Sequence, residues 1–136
     1  MRFAVLVKAT PQSEAGVLPT REQFAEMGAF NEELARAGVM LAADGLQASS
    51  KGARLTFGDG KPTVTDGPFA ETKELIAGFW IVQGASRAEV VERFMRAPFD
   101  GGAQIEIRQI FEAEDFGENL PSEVRLQEDR LREAVK

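Results

Sequence analysis

The stretch Ala77-Gly-Phe-Trp-Ile-Val-Gln83 decides the fold. It is an uncharged run of strand length, rich in aromatic and β-branched residues, and reads as a strand buried in a sheet. Arg2-Phe-Ala-Val-Leu-Val-Lys-Ala9 reads the same way. Successive side chains of a strand point to opposite faces. Phe3, Val5, Val7 and Phe79, Ile81 therefore lie on one side of their strands, and Ala4, Leu6 and Trp80, Val82 on the other. A sheet that is apolar on both faces needs a cover on both.

Working outward, Thr20-Arg-Glu-Gln23 has the form of a capping box, with Phe24, Met27, Phe30 or Asn31, and Leu34 at helical spacing behind it. That helix is expected to end at Gly38. Ser86-Arg-Ala-Glu89 is a second such box, opening a helix with Val90, Val91, Phe94 and Met95 on its apolar side and Pro98 as its stop. Val39 to Gln47 reads as a strand disturbed at Asp44-Gly45 by a bulge or turn. Ala53 to Phe57 and Lys61 to Thr65 alternate in polarity around Gly58-Asp59-Gly60, a hairpin signal. Ile105 to Phe111 alternates as a last strand with one wet face, and Thr10 to Leu18 reads as loop.

The order is strand, helix, strand, inserted hairpin, strand, helix, strand. This is the split βαβ arrangement of an α+β, ferredoxin-like domain with both helices on one face of the sheet. The other apolar face then calls for a second sheet, so the expected partner is a second copy of the chain, in a homodimer. The domain is assigned to residues 1–112. Residues 113–136 form an acidic linker and a C-terminal amphipathic helix. Glu112 to Glu118 carries four acids and no base, and in Ser122 to Lys136 the residues Val124, Leu131 and Val135 fall near one stripe, with Leu120 before them. That stripe suits docking on the chain's own domain or on a partner subunit, and both remain open.

Composition narrows the function. A hydrophobic share of 43% is too high for a disordered chain. A net charge of −6 argues against nucleic acid as a direct partner, because phosphate binding needs clustered Lys and Arg. No apolar run approaches the roughly 18 residues of a membrane span, and no signal-peptide cleavage site follows the apolar start, so a soluble cytoplasmic protein is expected. The chain has no cysteine, no histidine and no tyrosine. Acid–base chemistry would rest on a carboxylate or lysine with a shifted pKa. No phosphate loop, metal-ligand spacing or nucleophile triad appears, so no cofactor or metal is assigned.

The charges that stand out follow one another in Thr63-Val-Thr-Asp-Gly-Pro-Phe-Ala-Glu-Thr-Lys-Glu74. Asp66-Gly67 is a turn dipeptide and Pro68 fixes the next φ, so Gly67 and Pro68 are geometric. Asp66 either closes an Asx-type turn or is an acid–base group. Phe69 reads as a core plug. Glu71 and Lys73 share a face if the segment is extended, and Glu71 and Glu74 share one if it is helical. Paired carboxylates can be driven to different pKa values, and Lys73 suits an anionic group on a ligand. The competing reading of Glu71, Lys73 and Glu74 is solvated surface. Asp44, near a strand end, is a further ligand candidate. Trp80 reads as core or dimer interface, and Arg54 and Arg108 as a solvated sheet edge or an anion contact.

Asp66-Gly-Pro-Phe-Ala-Glu-Thr-Lys-Glu74 resembles the signature of the DGPF, or YCII-related, family. Ala43-Asp-Gly-Leu46, Ala77-Gly-Phe79, Ile105-Glu-Ile-Arg108, Phe111-Glu112 and Glu114-Asp-Phe116 are similar to the corresponding family segments. The resemblance covers nearly the whole chain. It implies a dimeric α+β barrel and some members joined to, or encoded near, extracytoplasmic-function sigma factors. It also implies a His–Asp pair as the proposed catalytic unit of some relatives, and this chain has no histidine to complete it.

Two functional expectations follow. One is a homodimer binding a small polar or anionic molecule beside the Asp66–Glu74 loop, with Asp66 as the acid–base group if it is catalytic and Glu71, Lys73 and Asp44 as ligand contacts. The other is a non-catalytic module that regulates a partner, such as a sigma factor, through the acidic tail.

Overall fold

The computed structural model describes all residues, Met1–Lys136. Strands β1 (Arg2–Lys8), β2 (Met40–Gly45), β5 (Ile76–Gln83) and β6 (Ile105–Gln109) form an antiparallel sheet in the order β2-β5-β1-β6. The two most apolar strands lie at the centre, paired with each other. This is the α+β, ferredoxin-like arrangement expected from the element order. Strands β3 (Ala53–Thr56) and β4 (Thr63–Asp66) form the inserted hairpin as a separate two-stranded sheet.

The register decides which strand faces share a side. Phe3 stands opposite Val82 and Val5 opposite Trp80, while Ala4 and Leu6 stand opposite Ile81 and Phe79. Directly opposed residues share a sheet face. Phe3, Val5, Val7, Trp80 and Val82 thus form one face and Ala4, Leu6, Phe79 and Ile81 the other. Alternation within each strand was readable from its own residues. Which alternate set of one strand joins which of its neighbour depends on register and is not local.

The first face is covered by α2 (Arg21–Arg36) and α3 (Arg87–Phe94). Its core joins Phe3, Val5, Trp80 and Val82 to Phe30 and Leu34 of α2, Val90 and Phe94 of α3, and Val39. The fully buried side chains Phe3, Leu34, Val5, Val82 and Val90 each contribute about 1.5–3 kcal/mol. Trp80 meets Phe30 and Phe94 edge-on, at 6.2 and 5.2 Å between ring centroids. Its indole N–H donates to Oδ1 of Asn31 at 2.8 Å, so the buried polar end is paired.

Capping follows the sequence closely. Thr20 and Gln23 form the expected reciprocal box. At the other end of α2, Gly38 at φ 70 lets Val39 N–H reach the Leu34 carbonyl and Gly38 N–H reach that of Ala35. Those two bonds make a Schellman motif, and its hydrophobic contact is the buried pair Leu34 and Val39. At α3, Ser86 caps the Glu89 N–H, but Glu89 reaches back to the N–H of Ala85 and not to that of Ser86.

Two local expectations are corrected. The segment read as loop contains a short helix, α1 (Pro11–Glu14), started by Thr10, whose hydroxyl accepts from Ser13 N–H while Thr10 N–H donates to the Ser13 hydroxyl. Four helical residues are too few for a periodicity signal. The irregularity of β2 lies between Met40 and Ala42, while Asp44 and Gly45 pair regularly with Phe79 and Gly78.

Beyond β6, Ala113–Asn119 forms 3₁₀ turns broken by a kink at Gly117 (φ 56, ψ −136), and α4 (Ser122–Ala134) is the expected C-terminal helix. No residue of α4 is buried, and Leu126, Leu131 and Val135 are exposed. No helix is long and apolar enough to cross a membrane.

Candidate functional site

The site is built around Ser49. At the end of α1 the Glu14 carboxylate accepts the Ser49 backbone N–H at 2.9 Å and, through its other oxygen, the Ser49 hydroxyl. The same hydroxyl oxygen accepts the Phe69 N–H at 3.1 Å. Glu14, Ser49 and Phe69 thus connect α1, the 3₁₀ turn Ser49–Lys51 and the loop after β4. The Ser49 hydroxyl, and after it the Ser49 N–H, holds the Glu14 carboxyl below the usual carboxylate range.

The loop lies close against that turn. Gly67 donates its N–H to Gly52, and a Cβ at Gly67 would fall 1.8 Å from the Ser49 carbonyl oxygen. Glycine is required here by close approach of two backbones. The Gly67–Pro68 peptide is cis. Phe69 lies under the Arg54 guanidinium, 3.9 Å from ring centroid to Cζ, so this ring stacks with a cation from β3 and is absent from the core cluster.

Beyond Phe69 the chain turns at Glu71, the only non-glycine residue with positive φ (φ 62, ψ 62), and enters the 3₁₀ turn Thr72–Glu74. A left-handed residue with a side chain costs of order 1–3 kcal/mol and persists where its surroundings over-determine it. Ala9 N–H donates to the Leu75 carbonyl at 2.9 Å and pins the end of the turn to the exit of β1. Between these segments lies a cleft of about 490 Å³, lined by Ala9 and Pro11 on one side and Glu71, Thr72, Lys73 and Glu74 on the other.

Of the four residues singled out in the sequence, Glu71 and Lys73 meet at this cleft. Asp66 ends β4 with its side chain exposed and takes no side-chain hydrogen bond or ion pair. Asp44 lies on the far face of the main sheet, opposite Phe79, and does not line the cleft. Glu14 and Ser49 escaped the sequence reading, because Ser49 is separated from Glu14 by 35 positions and from Phe69 by 20. The Thr10-Pro-Gln-Ser13 capping pattern was the one local hint that a helix would carry Glu14.

A second cavity, of about 570 Å³, lies between the 3₁₀ segment and α4. Phe111, Phe116 and Leu120 give it an apolar wall, and the two phenylalanines stack at 4.8 Å. Its charges are partly spent internally, with Arg125 paired to Glu114 at 2.9 Å and Glu112 to Arg2 at 2.8 Å. The Arg2 hydrogen bond, chiefly, lowers the Glu112 carboxyl from its usual range. No group of three or more carboxylates that could hold a metal ion forms in the chain.

A model of the YCII-related domain matches residues 1–114. No curated protein matches the chain. Among solved structures, the chain is similar to 5-chloro-2-hydroxyhydroquinone dehydrochlorinase from Burkholderia phenoliruptrix AC1100, in complex with 2,5-dihydroxybenzoquinone. The identity is 18%, the match covers 84% of this chain and 98% of the other, and the TM-score is 0.41. A likeness that distant says nothing of the chemistry at this cleft.

Proposed function

The chain belongs to the YCII-related family, and we propose that it is a homodimer that binds a small polar or anionic molecule in the cleft between Ala9–Pro11 and Glu71–Glu74. The observation that carries this reading is the meeting of Glu71 and Lys73 at one cleft, on a loop whose turn is made by a left-handed Glu71. Backbone in such a conformation tends to be kept where it aims a functional group. Lys73 supplies the cation for an anionic group of the ligand. Glu71 and Glu74 supply acceptors for its hydroxyl or amino groups.

The binding domain is residues 1–112, in a cytoplasmic protein, with the acidic segment and α4 appended. The homodimer is supported by the second sheet face, where Ala4, Leu6, Phe79 and Ile81 gather outside the helix-covered core. If the bound molecule is also transformed, Asp66 is the residue to assign to acid–base work, as the carboxylate opening the same loop. Asp44 is kept as a ligand contact only in the dimer, where the far sheet face would be enclosed.

A second reading, a non-catalytic module that regulates a protein partner such as a sigma factor, is favoured by one observation. Helix α4 buries none of its residues and presents Leu126 and Leu131 to solvent, with Val135 exposed just beyond its end.

A thermal-shift screen with small carboxylates, phosphates and amino acids tests the first reading. A ligand at a hundred times its Kd stabilises by about 2.7 kcal/mol. Lys73→Ala is expected to abolish the shift while leaving the unliganded melting temperature in place. A ligand that stabilises Lys73→Ala as well as the parent protein would bind elsewhere and would sink the assignment.

A further inference from the structure

We propose that Glu14 and Ser49 are positioning residues whose hydrogen bonds fix the spacing between the two walls of the cleft. The inference rests on the reading of that cleft as a ligand site. One wall, Ala9 and Pro11, leads directly into α1, whose last residue is Glu14. The other, Glu71 to Glu74, begins two residues after Phe69. Two connections join the walls. The Ala9–Leu75 backbone bond closes the far end, and the Glu14–Ser49–Phe69 chain of hydrogen bonds closes the near end.

Neither Glu14 nor Ser49 lines the cleft, so their effect on a ligand passes through the loop they hold. Hydrogen bonds to an ionised carboxylate are roughly twice as strong as neutral ones, and Glu14 receives two from one residue. The serine hydroxyl is used twice, donating to Glu14 and accepting from Phe69. Alanine at position 49 removes the bond to the loop and half of the clamp on α1, leaving the backbone bond to Glu14. Threonine keeps the hydroxyl. The close approach of Gly67 to the Ser49 carbonyl brings the loop's first turn against the same residue, so displacement of Ser49 moves the loop at its root.

Amide hydrogen exchange on the full chain tests this without a known ligand. In Ser49→Ala the hydrogen-bonded loop amides, those of Phe69 and Glu74, are expected to exchange about tenfold faster, as for a loop released to local opening, while those of β1 stay protected. Glu14→Gln should move in the same direction, and Ser49→Thr should restore the protection. Unchanged exchange of the Glu74 amide, which bonds within the loop and not to Ser49, in a folded Ser49→Ala protein overturns the proposal. So does an increase spread equally over β1, because the serine would then hold the fold and not the cleft. Inorganic phosphate, titrated as a probe anion, separates the two ideas. Failure of the parent protein to bind phosphate counts against an anion at Lys73, whereas the exchange result alone decides the role of Glu14 and Ser49.

Discussion

The carboxylate of Glu14 accepts both the backbone N–H and the hydroxyl of Ser49, across 35 positions of chain. Because these bonds favour the ionised form, the folded-state pKa lies below its ordinary value of 4.5. A depressed carboxyl contributes stability that is fully present above the unfolded pKa and is lost as pH falls through the folded one. Protection of the Phe69 and Glu74 amides should therefore hold at neutral pH and weaken as pH falls through the lowered pKa of Glu14. In Glu14→Gln the weakening should be present already at neutral pH and its acid dependence reduced. Exchange measured across that range checks both. An acid profile of the loop that is identical in the two proteins would remove Glu14 from the account.

Gly67 has no room for a side chain. A Cβ there would meet the Ser49 carbonyl oxygen at 1.8 Å and its carbon at 2.6 Å, and backbone cannot turn aside as a flexible side chain can. Gly67→Ala is expected to lower stability by about 1–3 kcal/mol, the range of other overpacked sites. The measurement is urea unfolding. A protein as stable as the parent would mean that the loop and the Ser49 turn separate at little cost.

Asn31 has one task that a hydrophobic residue cannot perform, accepting the indole N–H of Trp80. Trp80 is only 5% exposed, so its N–H has little access to water once that acceptor is gone. Asn31→Leu should cost about 1–3 kcal/mol, the penalty for a buried unpaired donor. Trp80 is the single tryptophan, so its fluorescence follows the unfolding directly.

Phe79 and Leu6 face each other on the sheet side that the helices leave uncovered. If a second copy covers that side, Phe79→Glu places a charge in the interface and should halve the mass found by light scattering at micromolar concentration. The circular dichroism should be retained, since Phe79 does not belong to the core cluster. A parent protein that is already monomeric would count against the dimer directly.

Helix α4 buries nothing, so removal of residues 120–136 should change the unfolding free energy of the domain by no more than about 0.5 kcal/mol. A larger loss would show that the helix packs on the domain, on its own subunit or on another. Capture of a protein partner by the full chain and not by the truncated one would favour the regulatory reading.

Much of the fold could be read from local chemistry. The Thr20–Gln23 box, Gly38 as a helix stop and the hairpin around Gly58–Gly60 each depend on residues within a few positions of one another, and propensity and capping act at that range. The expected second half of the Ser86–Glu89 box failed on a choice between two adjacent amide donors, Ala85 and Ser86, which spacing alone does not distinguish. At the candidate site, Glu71 and Lys73 could be singled out because they share one short loop. Their separation from Asp66 and Asp44 could not, because it depends on where the loop folds after Gly67.

The sequence by itself determined the order of the strands and of the longer helices, both ends of α2 and the two-sided character of the central strands, because each follows from periodicity and backbone preference over a few residues. The tertiary structure alone decided which strand faces combine, since register is a relation between distant segments. It alone brought Glu14 to Ser49 and Ser49 to Phe69, and so set the two walls of the cleft opposite each other. Hydrogen bonds across 35 and 20 positions leave no local pattern, because each partner by itself is an ordinary polar or backbone group.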